Sequence, residues 1–145
     1  MELTANYSFD ASPERVFDLL TDPVVVASCL PGCERLEPVE GTKYRAVLSM
    51  GIASITGRYE GTVELLDLNR PASYRLAVDG KGAPGFVKGE GRIVLEADGP
   101  GTLVKVSGQA QVGGAIARVG QRLVAGAAKL AADRFFACIG SKVGS

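Results

Sequence analysis

Two helix-start signals placed one after the other constrain the fold of this chain more than any other feature. Ser12-Pro13-Glu14 and Asp22-Pro23 each combine a side chain that caps a helix N-terminus with a proline pre-set for the first helical turn. The second helix must end near Leu30-Pro31-Gly32, because the residue before a proline is pushed out of the α region. The pattern predicts two short helices in tandem after one leading strand.

Alternation of apolar and polar residues predicts the strands around these helices. The leading strand places Leu3 to Phe9 in this pattern, and a strand near residues 35–39 follows the helices. The other alternating segments begin at Tyr44, Tyr59, Tyr74, Val87 and Val104. Turns are predicted at Asn69-Arg70-Pro71, in a glycine-rich loop from Gly80 to Gly85, and at Asp98-Gly99-Pro100-Gly101. One face is apolar throughout, which indicates an antiparallel sheet that is wet on one side.

From Gly114 to about Ser141 the hydrophobic period changes from 2 to 3.6. The pattern predicts one long helix that covers the sheet with a stripe formed by Ile116, Val119, Leu123, Ala127 and Leu130. The resulting fold class is α+β: a curved antiparallel sheet of about seven strands wrapped on a long C-terminal helix, with two short helices after the first strand. This order matches a helix-grip domain.

Charge and composition exclude several classes of protein. Lysine plus arginine and aspartate plus glutamate balance at 16 each, without a basic cluster, which argues against nucleic-acid binding. Met1-Glu2-Leu3 runs directly into the first strand, and no apolar run approaches the roughly 20 residues of a membrane-spanning helix. We therefore expect a cytoplasmic protein.

The three cysteines are Cys29, Cys33 and Cys138, and the chain has no histidine. A metal site would need more soft ligands than these residues supply. A disulfide is not expected in a cytoplasmic chain. The sequence therefore predicts small, partly buried thiols, with redox chemistry or regulation as the alternative.

Many residues expected on the inner face of the sheet are small, among them Gly61, Gly89, Gly91 and Gly108. The facing helix is rich in alanine as well. Inward glycines can mark bends in a curled sheet, or they can leave a hollow. Because curling alone rarely needs so many, we favour a hollow apolar interior, which is typical of a ligand pocket.

No catalytic constellation is visible. The usual neutral-pH general base, histidine, is missing, and neither serine nor cysteine lies in a nucleophile motif. Tyr7, Tyr44, Tyr59 and Tyr74 are all predicted to point inward. Their hydroxyls either find partners in the core or serve as polar groups of a ligand site.

The block Cys29-Leu30-Pro31-Gly32-Cys33-Glu34 is the most specific motif of the chain. Further motifs are Pro13 to Pro23, Tyr44-Arg45-Ala46, Gly57 to Gly61, Pro71 with Tyr74, Gly89-Glu90-Gly91, Gly101-Thr102, Val112-Gly113-Gly114 and Phe135-Phe136. In these motifs and in their order, the chain resembles the G-subunit family of carbon monoxide dehydrogenase, a branch of the START-like, polyketide-cyclase-like superfamily. The resemblance implies a single START-like domain over residues 1–145.

The resemblance further implies a non-catalytic protein that holds an elongated apolar ligand, such as the isoprenoid quinone menaquinone or a lipid, without a metal or another cofactor. Its expected partner is a molybdenum hydroxylase of the carbon monoxide dehydrogenase type, at the inner face of the cell membrane. The alternatives are a cyclase or hydrolase acting on a polyketide-like substrate, and an assembly chaperone. The predicted ligand-binding residues are Tyr44, Met50, Ile52, Tyr59, Tyr74, Phe86, Val87, Leu123 and Ala127.

A lip for ligand entry is predicted from two apolar, glycine-containing segments, residues 50–55 and 80–87. Ile52, Ile55 and Phe86 within them would be costly to expose without a purpose. We expect this lip to touch the bilayer, the alternative being two ordinary loops packed on each other.

Overall fold

The computed structural model describes residues 1–51 and 56–143. Their elements in chain order are β1 (Glu2–Phe9), α1 (Pro13–Thr21), α2 (Pro23–Cys29), β2 (Cys33–Glu40), β3 (Lys43–Met50), β4 (Gly57–Asn69), β5 (Ser73–Gly82), β6 (Gly85–Asp98), β7 (Gly101–Gly113), α3 (Ala115–Arg118) and α4 (Gln121–Lys142).

The two tandem helices begin where their capping signals predict. The Ser12 hydroxyl accepts a hydrogen bond from the Arg15 amide at 3.3 Å, and the Asp22 carboxylate accepts one from the Val24 amide at 2.9 Å. Each helix has its proline in the first turn. The apolar face of α1, with Val16, Leu19 and Leu20, is buried. The two helices therefore close one end of the molecule.

The sheet has seven strands in the order β1-β7-β6-β5-β4-β3-β2, and every pair is antiparallel. Strands β2 to β7 form a meander, and β1 pairs with the free edge of β7. The predicted alternation and the helix-grip fold are confirmed: Tyr59, Tyr74, Ile93 and Val104 are buried on the inner face. The predicted glycine-rich loop is much shorter than expected, since β5 runs to Gly82 and β6 starts at Gly85.

The prediction of one uninterrupted helix after Gly114 is wrong. Gly120 adopts a φ of 95°, in the left-handed region that favours glycine, and it separates the single turn α3 from the longer α4. A 3.6-residue pattern does not register such a break, because the residues on either side still follow the helical spacing.

The predicted apolar stripe is confirmed at Ile116 and Ala127 but wrong at Leu123 and Leu130. Leu123 and Leu130 are 42% and 40% exposed, whereas Val124, Ala127, Phe136 and Ile139 are buried. The helix is turned about its axis relative to the prediction. Phe136 stacks on Tyr7 of β1 with ring centroids 4.2 Å apart, and aromatic burial of this kind outweighs the exposure of two leucines.

The prediction of three thiols is wrong as well, because Cys29 and Cys138 form a disulfide with Cα atoms 5.4 Å apart. The bond joins the end of α2 to the last turns of α4 across 109 residues of sequence. Cys33 remains a thiol and donates a hydrogen bond to the Arg35 carbonyl at 3.4 Å. Burial raises the pKa of this thiol.

We predict that Cys138→Ser lowers the free energy of unfolding by about 2–4 kcal/mol, because a crosslink that closes a long loop restricts the unfolded chain. Denaturant titration of the oxidised wild type and the variant measures the difference. Cys33→Ser is the matched control and should unfold as the wild type does. A Cys138→Ser variant as stable as the oxidised wild type would contradict the prediction.

Candidate functional site

The concave face of the sheet carries small residues in its middle rows. One row across the strands contains Leu65, Leu76, Gly91, Gly108 and Leu3, as the pairing registers show. The next row contains Tyr44, Val63, Val78, Gly89 and Ala110. The apolar surface is therefore recessed at its centre, because the glycines there have no side chain to fill the interior.

Two glycines of the inner face border empty space. A Cβ atom built on Gly91 would meet only the Ser107 carbonyl oxygen within 4 Å, at an ordinary 3.5 Å, and one on Gly80 would meet only the Glu60 carbonyl oxygen at 3.8 Å. Val78 between them is 37% exposed although its strand position faces inward. We call the space over Val78, Gly80 and Gly91 the inner hollow.

Other glycines serve the curvature of the sheet. A Cβ atom on Gly61 would overlap the Asp79 carbonyl oxygen and lie 2.6 Å from the Gly80 Cα atom, and one on Gly82 would overlap the Arg58 carbonyl oxygen. At these positions neighbouring strands approach too closely for any side chain. Both interpretations of the glycines therefore apply: Gly61 and Gly82 permit close approach of strands in the curved sheet, and Gly80 and Gly91 leave a hollow.

The helix α4 stands away from the centre of the sheet. Among the described residues its extensive backbone approaches are to β1, α1, α2 and α3, and none of comparable extent is made to β4–β7. Ala125, Ala128 and Ala132 share a helical face with the fully buried Ile139. Alanines opposite glycines would permit close backbone contact, and among the described residues the helix makes no extensive contact of this kind with β4–β7.

The buried residues accordingly form two clusters with the inner hollow between them. The larger cluster joins β1, α1, α2 and the C-terminal half of α4 around Phe17, Leu20, Tyr74 and Ile139. The smaller cluster joins Tyr59, Ile116, Val124 and Ala127 at the other end. An interior divided in this way has two packed ends and a loosely filled middle.

The structure brings together four of the predicted ligand-binding residues. Met50, Tyr59, Val87 and Ala127 pack in the smaller cluster at one end of the inner hollow. Burial raises the pKa of Tyr59. Tyr74 lies in the larger cluster at the opposite end, and Tyr44 is half-buried in the row that contains Val78.

Two of the predicted ligand-binding residues, Phe86 and Leu123, lie outside the interior. Phe86 alternates with the inward Val87, is 48% exposed, and lays its ring over Gly113 on the outer side of the sheet. Leu123 lies on the exposed side of α4. Ile52 lies outside the described residues, as does Ile55 of the predicted lip.

Sequence reasoning missed a polar group between β1 and α4. The Tyr7 hydroxyl donates a 2.7 Å hydrogen bond to the Asp133 carboxylate, which also pairs with Lys129. Burial, and then the hydrogen bond and charge of Asp133, raise the pKa of Tyr7 to about 12. The hydrogen bonds from Lys129 and Tyr7 lower the pKa of Asp133. The i, i+4 spacing of Lys129 and Asp133 was the available signal, but only the fold places Tyr7 beside it.

The outer face of the sheet carries a second depression, an open groove of about 1080 Å³. Its lining is mostly polar and includes Lys43, Glu64, Arg75, Lys88 and Glu90, and the inner-row residues Val78 and Gly91 also border it. A polar and open surface cannot hold an apolar molecule away from water. The inner hollow is therefore the better candidate site for such a molecule.

We predict that Gly91→Leu changes the free energy of unfolding by less than about 1 kcal/mol, because its side chain enters empty space and leucine suits a strand better than glycine. Overpacking of a filled core would cost about 1–3 kcal/mol. Gly61→Leu is the matched control and should be strongly destabilising, since its Cβ atom overlaps the backbone of β5. Equal destabilisation of both variants in thermal melts would contradict the inner hollow.

Among the described residues, no helix is long and apolar enough to span a bilayer. Comparison with curated proteins finds no match. A conserved protein from Geobacillus kaustophilus is similar in structure, with 35% sequence identity, a TM-score of 0.96, and coverage of 99% of this chain and 95% of that protein.

More distant solved structures share the fold alone. A START superfamily protein from Mycobacterium smegmatis has a TM-score of 0.77 and 13% identity, with 99% of this chain and 97% of that chain covered. The protein Ara h 8.0201 has a TM-score of 0.74 and 15% identity, with the same coverage. The profile of CoxG, the family of the carbon monoxide dehydrogenase G-subunit, matches residues 6–144. With nearly its whole length matched, the chain belongs to the CoxG family and has a START-like fold.

Proposed function

We propose that this protein is a non-catalytic carrier that holds an elongated apolar molecule in the inner hollow. The observation that supports this most is the separation between α4 and the glycine-lined centre of the sheet. Apolar surface left open inside a fold costs about 25 cal/mol per Å². A ligand that covers this surface recovers that free energy, and its affinity increases with the apolar area that it covers.

The ligand class that we propose is an isoprenoid quinone such as menaquinone. The shape of the site supports a long molecule, because the hollow extends between two packed clusters. Met50, Val87 and Ala127 at one end provide apolar contacts. The family name supplies the partner: we propose that the protein serves a molybdenum hydroxylase of the carbon monoxide dehydrogenase type. Its task would be to shield the apolar tail in water between membrane and enzyme.

The experiment follows transfer of menaquinone from liposomes to protein. Liposomes of phosphatidylcholine containing menaquinone are incubated with the protein and removed by centrifugation, and the quinone in the supernatant is quantified by chromatography. We expect wild type to extract menaquinone and to return it chemically unchanged. Gly91→Leu should extract several-fold less, because its side chain occupies the hollow.

Gly126→Leu is the matched control for this experiment. Gly126 is exposed on α4, and a Cβ atom there would meet nothing within 4 Å. This variant adds the same side chain outside the hollow and should extract quinone as the wild type does. Failure of the wild type to extract quinone, or conversion of the quinone to a new covalent product, would contradict the carrier function.

We further propose that the hairpin between β5 and β6 contacts the bilayer when the ligand is loaded. Phe86 beside this turn is 48% exposed, and an exposed aromatic ring gains free energy at a membrane surface. The turn lies at the same end of the sheet as the smaller cluster, since Val87 belongs to that cluster. The path of ligand entry at this end would therefore be short.

We predict that Phe86→Asp reduces co-sedimentation with phosphatidylcholine liposomes several-fold, because a charge replaces the inserted ring. Val24→Asp is the control: Val24 is 76% exposed on α2, an element of the larger cluster, and should not affect liposome binding. Thermal melts establish that both variants are folded. Equal sedimentation of wild type and Phe86→Asp would contradict the membrane contact.

A further inference from the structure

The hydroxyl of Tyr74 is an unused hydrogen-bond donor in the interior. Tyr74 is only 3% exposed, and its hydroxyl has no hydrogen-bond partner among the described residues. Burial raises its pKa, and no neighbouring charge or hydrogen bond contributes to that shift. Leaving a buried hydroxyl unpaired costs roughly 1–3 kcal/mol. A hydrogen-bond acceptor from outside the described residues would remove this cost.

The hydroxyl is nevertheless not sealed in the core. Within residues 1–51 and 56–143, no fully enclosed side-chain nitrogen or oxygen lacks a partner. Since the Tyr74 oxygen has none, it must border a space that a water molecule can reach. Exposure of only 3% for the whole residue means that access to the hydroxyl is narrow.

The position of Tyr74 identifies that space. Tyr74 lies on the inner face of β5, paired with Ile93, and the next inward row contains Leu76 and Gly91. Tyr74 therefore occupies the inward row next to those that line the inner hollow, on the side of α1. Phe17 of α1 contacts the Tyr74 ring edge-on, with centroids 5.6 Å apart and planes at 86°. This contact holds the ring in place before any ligand arrives.

Two of the other inward tyrosines differ in this respect, and Tyr44, which also has no hydrogen-bond partner among the described residues, is only half-buried. The Tyr7 hydroxyl is already used by Asp133, and Tyr59 is engaged in an interaction of its own. Since a phenol donates one hydrogen bond, Tyr7 has no donor left for a ligand. Of the two tyrosines in the larger cluster, Tyr74 alone offers its donor to the hollow.

We propose that Tyr74 binds the carbonyl oxygen of the ligand and fixes the head of the molecule at the α1 end of the inner hollow. This inference rests on the proposed carrier function and names the ligand class by its chemistry: an apolar chain with a carbonyl-bearing ring. The chain of such a molecule then runs toward Met50 and Val87 at the opposite end. The hydroxyl donates to the carbonyl, and no covalent bond changes.

The test compares two ligands that differ only in their carbonyl groups: phylloquinone, a naphthoquinone with a phytyl chain, and the naphthalene with the same chain. Each is delivered from cyclodextrin to wild type, Tyr74→Phe and Tyr7→Phe, and bound ligand is quantified after gel filtration. Tyr74→Phe should bind phylloquinone about three- to tenfold more weakly than wild type, the range of one net hydrogen bond. Its affinity for the naphthalene should be unchanged.

Tyr7→Phe is the matched control. It breaks a hydrogen bond within the fold, so it should lower the melting temperature while leaving the ratio of the two affinities unchanged. Tyr74→Phe should melt as the wild type does without ligand, because its hydroxyl has no partner to lose. In infrared spectra, the carbonyl stretch of bound phylloquinone should lie lower in wild type than in Tyr74→Phe, which a purely structural role of Tyr74 would not produce.

The outcomes separate the two proposals. A wild type that binds neither ligand contradicts the carrier function itself. A wild type that binds both, with the same affinity ratio and the same carbonyl stretch in Tyr74→Phe, overturns the role of Tyr74 and leaves the carrier function standing. Equal weakening of both ligands in Tyr74→Phe also overturns that role, since it indicates lost packing rather than a lost hydrogen bond.

Discussion

The interior of this protein depends on how the C-terminal half of α4 is anchored. Phe136 stacks on Tyr7, Ile139 is completely buried, and the Cys29–Cys138 disulfide attaches the same end of the helix to α2. The same cluster includes Tyr74, Ile93 and Val104 of the sheet, so the anchor joins this end of the helix to one end of the sheet. The N-terminal half of α4 packs separately, with Val124 and Ala127 in the smaller cluster beside Tyr59. The inner hollow lies between these two packed ends.

The glycines make the same geometry possible from the side of the sheet. At Gly61 and Gly82 the strands approach so closely that only glycine fits, which allows the sheet to curl around the helix. At Gly80 and Gly91 the missing side chains leave room instead. One residue type thus has two physical roles in the same sheet. The role of each glycine depends on which atoms of the folded chain a Cβ atom at that position would meet. The amino-acid composition does not contain this information.

The polar groups of the interior divide in a similar way. Tyr7, Asp133 and Lys129 satisfy one another where β1 meets α4, and this group helps to fix the helix. Tyr74 is fixed by packing against Phe17, but no residue in the described part of the chain pairs with its hydroxyl. A satisfied group contributes to stability, whereas an unsatisfied one at the edge of a hollow is available for binding. The carrier function that we propose uses the second kind.

The sequence by itself determined the elements whose causes are local. The caps at Ser12 and Asp22, the prolines that follow them, and the period of 2 in each strand depend on neighbours within a few residues, and the structure confirms them. The block around Cys29 and Cys33 is also a short continuous segment, and the family that it indicated is confirmed. The tertiary structure alone decided the features that join distant residues.

Three features were predicted wrongly: the side of α4 that is buried, which leaves Leu123 exposed, the continuity of the helix at Gly120, and the state of Cys29 and Cys138. Each depends on a contact between segments that lie far apart in the chain or on a single backbone angle. Hydrophobic periodicity indicates which residues prefer burial. It does not indicate which apolar face of a helix is covered by the rest of the molecule. That choice is made by the summed packing energy of the whole fold, and so only the folded chain contains it.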